Sequence, residues 1–84
     1  MIQLLLLGTD PCHLCDKLKR ELDSYQMFSK IPFNYTVIDG VDDDELYDKY
    51  ELKIPVILHQ HSQMELYYPF DFAALMALLD QVSD

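Results

Sequence analysis

The sequence predicts one α/β domain, a four-stranded mixed sheet with three helices in the order β-α-β-α-β-β-α. Three observations carry this prediction. The 84 residues suffice for one core and leave little room for a second. Half of them are hydrophobic and a quarter are charged, which supplies apolar surface for a core and excludes a chain disordered by composition. The hydrophobic period alternates between that of a strand and that of a helix along the chain. No Ser/Gly linker, low-complexity tract or repeat divides it, so residues 1–84 read as a single domain.

Each element has its own signal. Ile2 to Leu7 is a continuous apolar run of the kind buried on both faces of a sheet, and Gly8 punctuates its end. The run lacks a basic flank and is shorter than a signal h-region, so it reads as the central strand. From Pro11 a helical period takes over, with Leu14, Leu18, Leu22 and Tyr25 on one face as far as about Phe28. Asp10 is the expected N-cap of that helix and Pro11 its first residue. Pro32 breaks the chain, and Phe33 to Ile38 alternates β-formers as a second strand.

Asp39 and Gly40 make a turn. Asp42 to Glu45 then place negative charge where a helix start favours it, and Leu46 with Tyr50 gives that short helix an apolar stripe. Val56 to Gln60 and Gln63 to Tyr67 read as a hairpin turning at His61 and Ser62. After Pro69, Asp71 is the expected N-cap of a last helix, whose stripe is Phe72, Leu75, Met76, Leu79 and Val82. One parallel right-handed crossover followed by a hairpin requires a mixed sheet covered by helices on both faces.

Charge and cysteine usage narrow the function. Six basic against fifteen acidic residues give a net charge of −9, which repels phosphate backbones and argues against a nucleic-acid partner; a basic protein face is the natural complement. No apolar stretch reaches the roughly 20 residues that span a bilayer, so no membrane partner is expected. Two cysteines are too few for a secreted disulfide scaffold, and a reducing, cytoplasmic setting follows as the expectation.

Those two cysteines form the motif Cys12-His13-Leu14-Cys15, placed where the first strand hands over to the first helix. At a helix start, unpaired backbone N–H groups stabilise a thiolate, which makes Cys12 the expected attacking sulfur. Three residues on, Cys15 shares nearly the same helical face and is placed to resolve a mixed disulfide formed at Cys12. A protonated His13 would favour the Cys12 thiolate and Asp10 would oppose it; the alternative for His13 is a solvent-facing helix residue. The same C-x-x-C spacing also supplies half of many zinc sites, for which His13, His59 and His61 are the remaining non-carboxylate candidates. His59 and His61 otherwise read as polar residues of a solvated turn.

The strand, Cys12-x-x-Cys15, helix opening, together with Ile54-Pro55 before the third strand and the C-terminal helix, resembles the glutaredoxin-like members of the thioredoxin superfamily. The resemblance covers almost the whole chain and implies a thioredoxin-like, glutaredoxin-type fold. It further implies that Pro55 is cis and faces the reactive cysteines, and that the Ile54 backbone binds an extended substrate; His13 joins these two as a candidate substrate-side residue. In several places the chain departs from the family. His13-Leu14 replaces the Pro-Tyr common in glutaredoxins, and Gly8 and Gly40 are the only glycines, so the paired glycine before the final helix is absent. That stretch carries Tyr67, Tyr68 and Phe70, and Thr9 and Asp10 stand where a lysine often meets a glutathione carboxylate.

The resulting expectation is a monomeric dithiol-disulfide oxidoreductase that needs no cofactor. It would act on disulfide-containing proteins or small thiols and be recycled by a protein reductase in preference to glutathione. A non-catalytic thioredoxin-fold interaction module, a glutathione-dependent iron-sulfur carrier and a zinc-binding domain are the alternatives.

Overall fold

The computed structural model describes residues 1–8, 13–39, 44–50 and 54–83, with side chains in 44–50 described at 45 and 48–50. The predicted Asp10 cap, Pro11, the turn at Gly40 and the Leu46 part of the second helix's stripe lie outside what is described. The elements are β1 (Ile2–Gly8), α1 (His13–Phe28), β2 (Phe33–Asp39), α2 (Asp44–Tyr50), β3 (Val56–His59), β4 (Met64–Tyr67) and α3 (Phe72–Val82). Their order is the one that the alternating periods predict.

The sheet runs β2-β1-β3-β4, with β1 parallel to β2 and antiparallel to β3, and β3 antiparallel to β4. A central position explains why β1 is apolar at almost every residue: alternate side chains serve two cores. Leu4 and Leu6 join Leu18 and Leu22 of α1, Ile57 of β3 and Leu75, Leu78 and Leu79 of α3 in one buried cluster. Leu7 points the other way, into a smaller cluster with Val56, Leu58 and Tyr50 of α2. The sheet is therefore covered on both faces, by α1 and α3 on one and α2 on the other.

Local chemistry sets the boundaries. Asp71 caps α3 by accepting the Ala74 N–H at 2.8 Å, the predicted cap. Two readings need correction. Leu14, assigned to the inner stripe of α1, is 52% exposed, and the inward track is Cys15, Leu18 and Leu22. The hairpin turns over Gln60 to Gln63 and not over His61 and Ser62 alone: Gln63 adopts φ 65° and its N–H reaches the His59 carbonyl at 2.9 Å. The Ser62 hydroxyl and backbone fold onto His59 Nδ1, a side-chain turn that needs no glycine.

Candidate active site around Cys15

The end of β1 and the first turn of α1 converge on Cys15. The helix is pinned to the sheet through Leu18 and Leu22, and the same track carries Cys15 inward, leaving it 3% exposed. Its sulfur is held in a disulfide, and no free cysteine occurs among the described residues. Cys12, the other cysteine of the sequence, lies outside those residues. His13 and Leu14 face outward on the same turn.

Gly8 explains how the sulfur can lie so close to the sheet. A Cβ built at Gly8 would stand 2.7 Å from Cys15 Sγ, closer than a methyl group tolerates, and 3.4 Å from the Cys15 Cβ, an ordinary contact. The glycine that the sequence shows as a strand end is therefore a close-approach site. No sequence signal separates the two roles; only the packing does.

A pocket of about 260 Å³ opens beside the sulfur, lined by Leu6, Gly8, Cys15, Asp16, Lys19, Val37 and Asp39. The parallel register pairs Leu6 with Val37 and Gly8 with Asp39, so these four positions share the face that α1 covers. Lys19 lies one turn beyond Cys15 on the helix. Its ammonium is 3.9 Å from Asp16, and with side chains 39% and 67% exposed this pair adds at most about 1 kcal/mol. Sequence reasoning did not single out Lys19 and read Asp39 as part of a turn, whereas Asp39 is the last residue of β2; the β1–β2 register sets it beside Gly8, and α1 lying on that face brings Lys19 to the same pocket.

The Ile54–Pro55 peptide is cis, as the resemblance implied. Val56 pairs with Leu7, so extending the antiparallel register by one position sets Pro55 level with Gly8, at the end of the sheet where Cys15 packs. Pro55 is fully buried, and its carbonyl accepts the Tyr68 N–H at 3.3 Å. A second cis bond, Tyr68–Pro69, was not anticipated.

The aromatic segment after β4 packs back on α1. Tyr68 meets Phe70 edge to face at 5.9 Å, and Tyr25 of α1 lies 5.2 Å from Phe72. Burial, followed by the Glu21 carboxylate, raises the pKa of both Tyr25 and Tyr68. On the opposite face, the Tyr50 hydroxyl donates to Glu65 Oε2 and the Tyr67 hydroxyl donates to Oε1 at 2.9 Å. Among the described residues no three His, Cys, Asp or Glu side chains gather as a metal site would require, and His59 and His61 stay at the hairpin turn.

A βαβ crossover feeding a hairpin, with a buried cysteine in the first turn of α1 and a cis-proline at the head of β3, defines the thioredoxin fold. Solved structures agree: thioredoxin 1 from Thermosipho africanus superposes with a TM-score of 0.62 at 11% identity, over 95% of this chain and 92% of that one. Residues 3–80 match the family described as Glutaredoxin-like domain (DUF836), and the chain belongs to that family. The X-ray structure of the Northeast Structural Genomics target protein XcR50 from X. campestris is 33% identical, with a TM-score of 0.72 over 94% of this chain and 97% of that one. A malarial protein of the same fold is 18% identical, with a TM-score of 0.65 over 94% and 93% of the two chains. No curated protein sequence matches the chain.

Proposed function

We propose that this protein is a thiol-disulfide oxidoreductase in which Cys12 attacks a substrate disulfide and Cys15 resolves the mixed disulfide. The observation that carries this reading is Cys15 itself. It is disulfide-bonded in the first turn of a thioredoxin-fold helix, and the chain's only other cysteine stands three residues before it. Burial of Cys15 beneath an exposed first turn suits a resolving sulfur, which never has to meet the bulk of a substrate. Pro55, level with Gly8, supports a role for Ile54 and Pro55 in placing an extended substrate chain, and the exposed ring of His13 supports a contact from the helix side.

In the forward cycle two thiols become one disulfide and the substrate disulfide becomes two thiols. A dithiol donor then restores the pair. A protein reductase fits as that donor better than glutathione, because the chain lacks the paired glycine and the lysine that would hold the tripeptide, and its charge of −9 opposes an anion. The reducing interior of a cell is the setting in which such a donor operates. No described helix is long and apolar enough to cross a membrane.

The test is reduction of a protein disulfide by wild type, Cys12→Ser and Cys15→Ser, each with dithiol and with glutathione plus its reductase. Cys12→Ser should be inactive and Cys15→Ser should accumulate a mixed disulfide, with turnover supported by the dithiol alone. Unchanged activity in Cys12→Ser would refute the assignment.

A further inference from the structure

The two edges of the sheet differ in how they are guarded. A bare strand edge pairs readily with another strand, and proteins commonly protect it by shortness, charge or proline. β4 has four residues, carries Glu65 and is soon followed by Pro69. β2 has seven residues, and from Ile31 to Ile38 the sequence holds no charge, although a quarter of the chain is charged. The proline of that stretch, Pro32, precedes the strand.

The register shows which backbone groups the β2 edge presents. Ile2 is the partner of Phe33, and its N–H reaches the Pro32 carbonyl at 3.3 Å. Successive residues of a strand aim their backbone groups to alternate sides, so Asn34, Thr36 and Ile38 bond β1 while Phe33, Tyr35 and Val37 turn outward. The Phe33 carbonyl already accepts from Gln26 Nε2 at 3.0 Å. Among the described residues nothing bonds the outward N–H and C=O of Tyr35 and Val37. The Val37 side chain is exposed on the α1 face, and that of Thr36 on the other.

We propose that β2 is the contact between two copies of this chain, in place of the monomer expected from the sequence, with β2 antiparallel to the partner's β2 about a two-fold axis at Thr36. Tyr35 then exchanges both hydrogen bonds with the partner's Val37, and Val37 with the partner's Tyr35, which uses the four free backbone groups and no others. The side chains match too. The Tyr35 ring, whose hydroxyl donates to Asp23 at 2.7 Å, lies against a β-branched valine, and Thr36 meets its own copy on the opposite face. Charge agrees in direction: the segment runs from Lys30 to Asp39, so antiparallel pairing sets the acidic end of each copy toward the basic end of the other. The axis stands perpendicular to the sheet and leaves both α1 helices on one side. Val37 lines the pocket beside Cys15, so pairing brings the partner's Tyr35 to the rim of that pocket. The contact does not depend on the redox reading.

Sedimentation of the full chain over a rising concentration series reads the dimer, and Val37→Pro tests its geometry. The Val37 N–H is unused inside the sheet, so proline spares the β1–β2 ladder and removes one intermolecular bond per copy. Losing both bonds should weaken the dimer by about tenfold or more, with circular dichroism confirming the fold. Thr36→Cys gives a second reading should Val37→Pro unfold. At the axis the two Cα atoms stand about 4.5 Å apart, within disulfide range. Mild oxidation should therefore join Thr36→Cys to its own copy, as mapped by mass spectrometry. Asn34→Cys, on the same face but opposite the partner's Ile38, should not cross-link. A chain that stays monomeric at every concentration overturns the proposal. So does a dimer that a folded Val37→Pro leaves unchanged, or equal cross-linking from the two cysteine variants.

Discussion

The two faces of the sheet are built to different standards. Under α1 and α3, two helices of 16 and 11 residues bury leucines that meet Leu4, Leu6 and Ile57 across a continuous apolar layer. Under α2, a helix of 7 residues, the buried cluster among the described residues is Leu7, Val56, Leu58 and Tyr50. Cys15 belongs to the first face and Ile54 packs against the second. The difference teaches how the site is supported. The sulfur is mounted on the side that two helices cover, where its distance to Gly8 is set by helix and strand together, and Ile54, next to Pro55, packs on the side that α2 covers.

The largest expected effect tests the heavy face. Leu22→Ala removes a fully buried side chain between α1 and the sheet and should cost about 2 to 5 kcal/mol in denaturant unfolding. A loss below about 1 kcal/mol would mean that this face is no better packed than the other. Next comes Gly8→Ala. Its new methyl group must displace Cys15 or the strand, so a loss of about 1 to 3 kcal/mol is expected, together with slower reduction of a protein disulfide. Wild-type stability and kinetics would show that the close approach of β1 to the sulfur is incidental.

A smaller effect is expected on the light face. Tyr50→Phe deletes the hydroxyl that donates to Glu65, which joins α2 to β4, and should cost about 1 kcal/mol. Amide exchange should quicken in α2 and stay unchanged in α1 and α3. Equal quickening in all three helices would contradict the division into two cores.

The smallest effect is pH-dependent. Burial, and then its hydrogen bond to Asp23, pushes the Tyr35 phenol from 10.0 up to about 12. The folded state holds this proton more tightly than the unfolded state does. The contribution is therefore fully present below pH 10.0 and is lost as pH rises through about 12. Tyr35→Phe should remove that part of the alkaline loss, read by comparing unfolding midpoints across this window. An identical alkaline slope in wild type and variant would refute the assignment.

Much of this arrangement was legible in the sequence because period and punctuation are local. The all-apolar β1 announced a central strand, Asp71 announced a cap, and Cys12-x-x-Cys15 with Ile54-Pro55 announced the family. Leu14 was misjudged because i, i+4 spacing describes a helix face without saying which face the sheet takes; the sheet takes Cys15, Leu18 and Leu22. The hairpin was drawn too tight because Ser62 and His59 supply by side-chain hydrogen bonds what a glycine pair would supply by backbone freedom. Gly8, Lys19 and Asp39 were not recognised as a group, since their meeting depends on the β1–β2 register and on how closely α1 lies on the sheet.

The central claim is that Cys12 and Cys15 form one redox couple. The most direct measurement equilibrates the protein in buffers of graded dithiol to disulfide ratio, quenches with an alkylating reagent and counts modified cysteines by mass. The account predicts a single two-electron transition in which both cysteines gain or lose the label together, with no species carrying one label, and its loss in Cys12→Ser and in Cys15→Ser. Two cysteines that remain alkylated across the whole range, or that change independently, would contradict it.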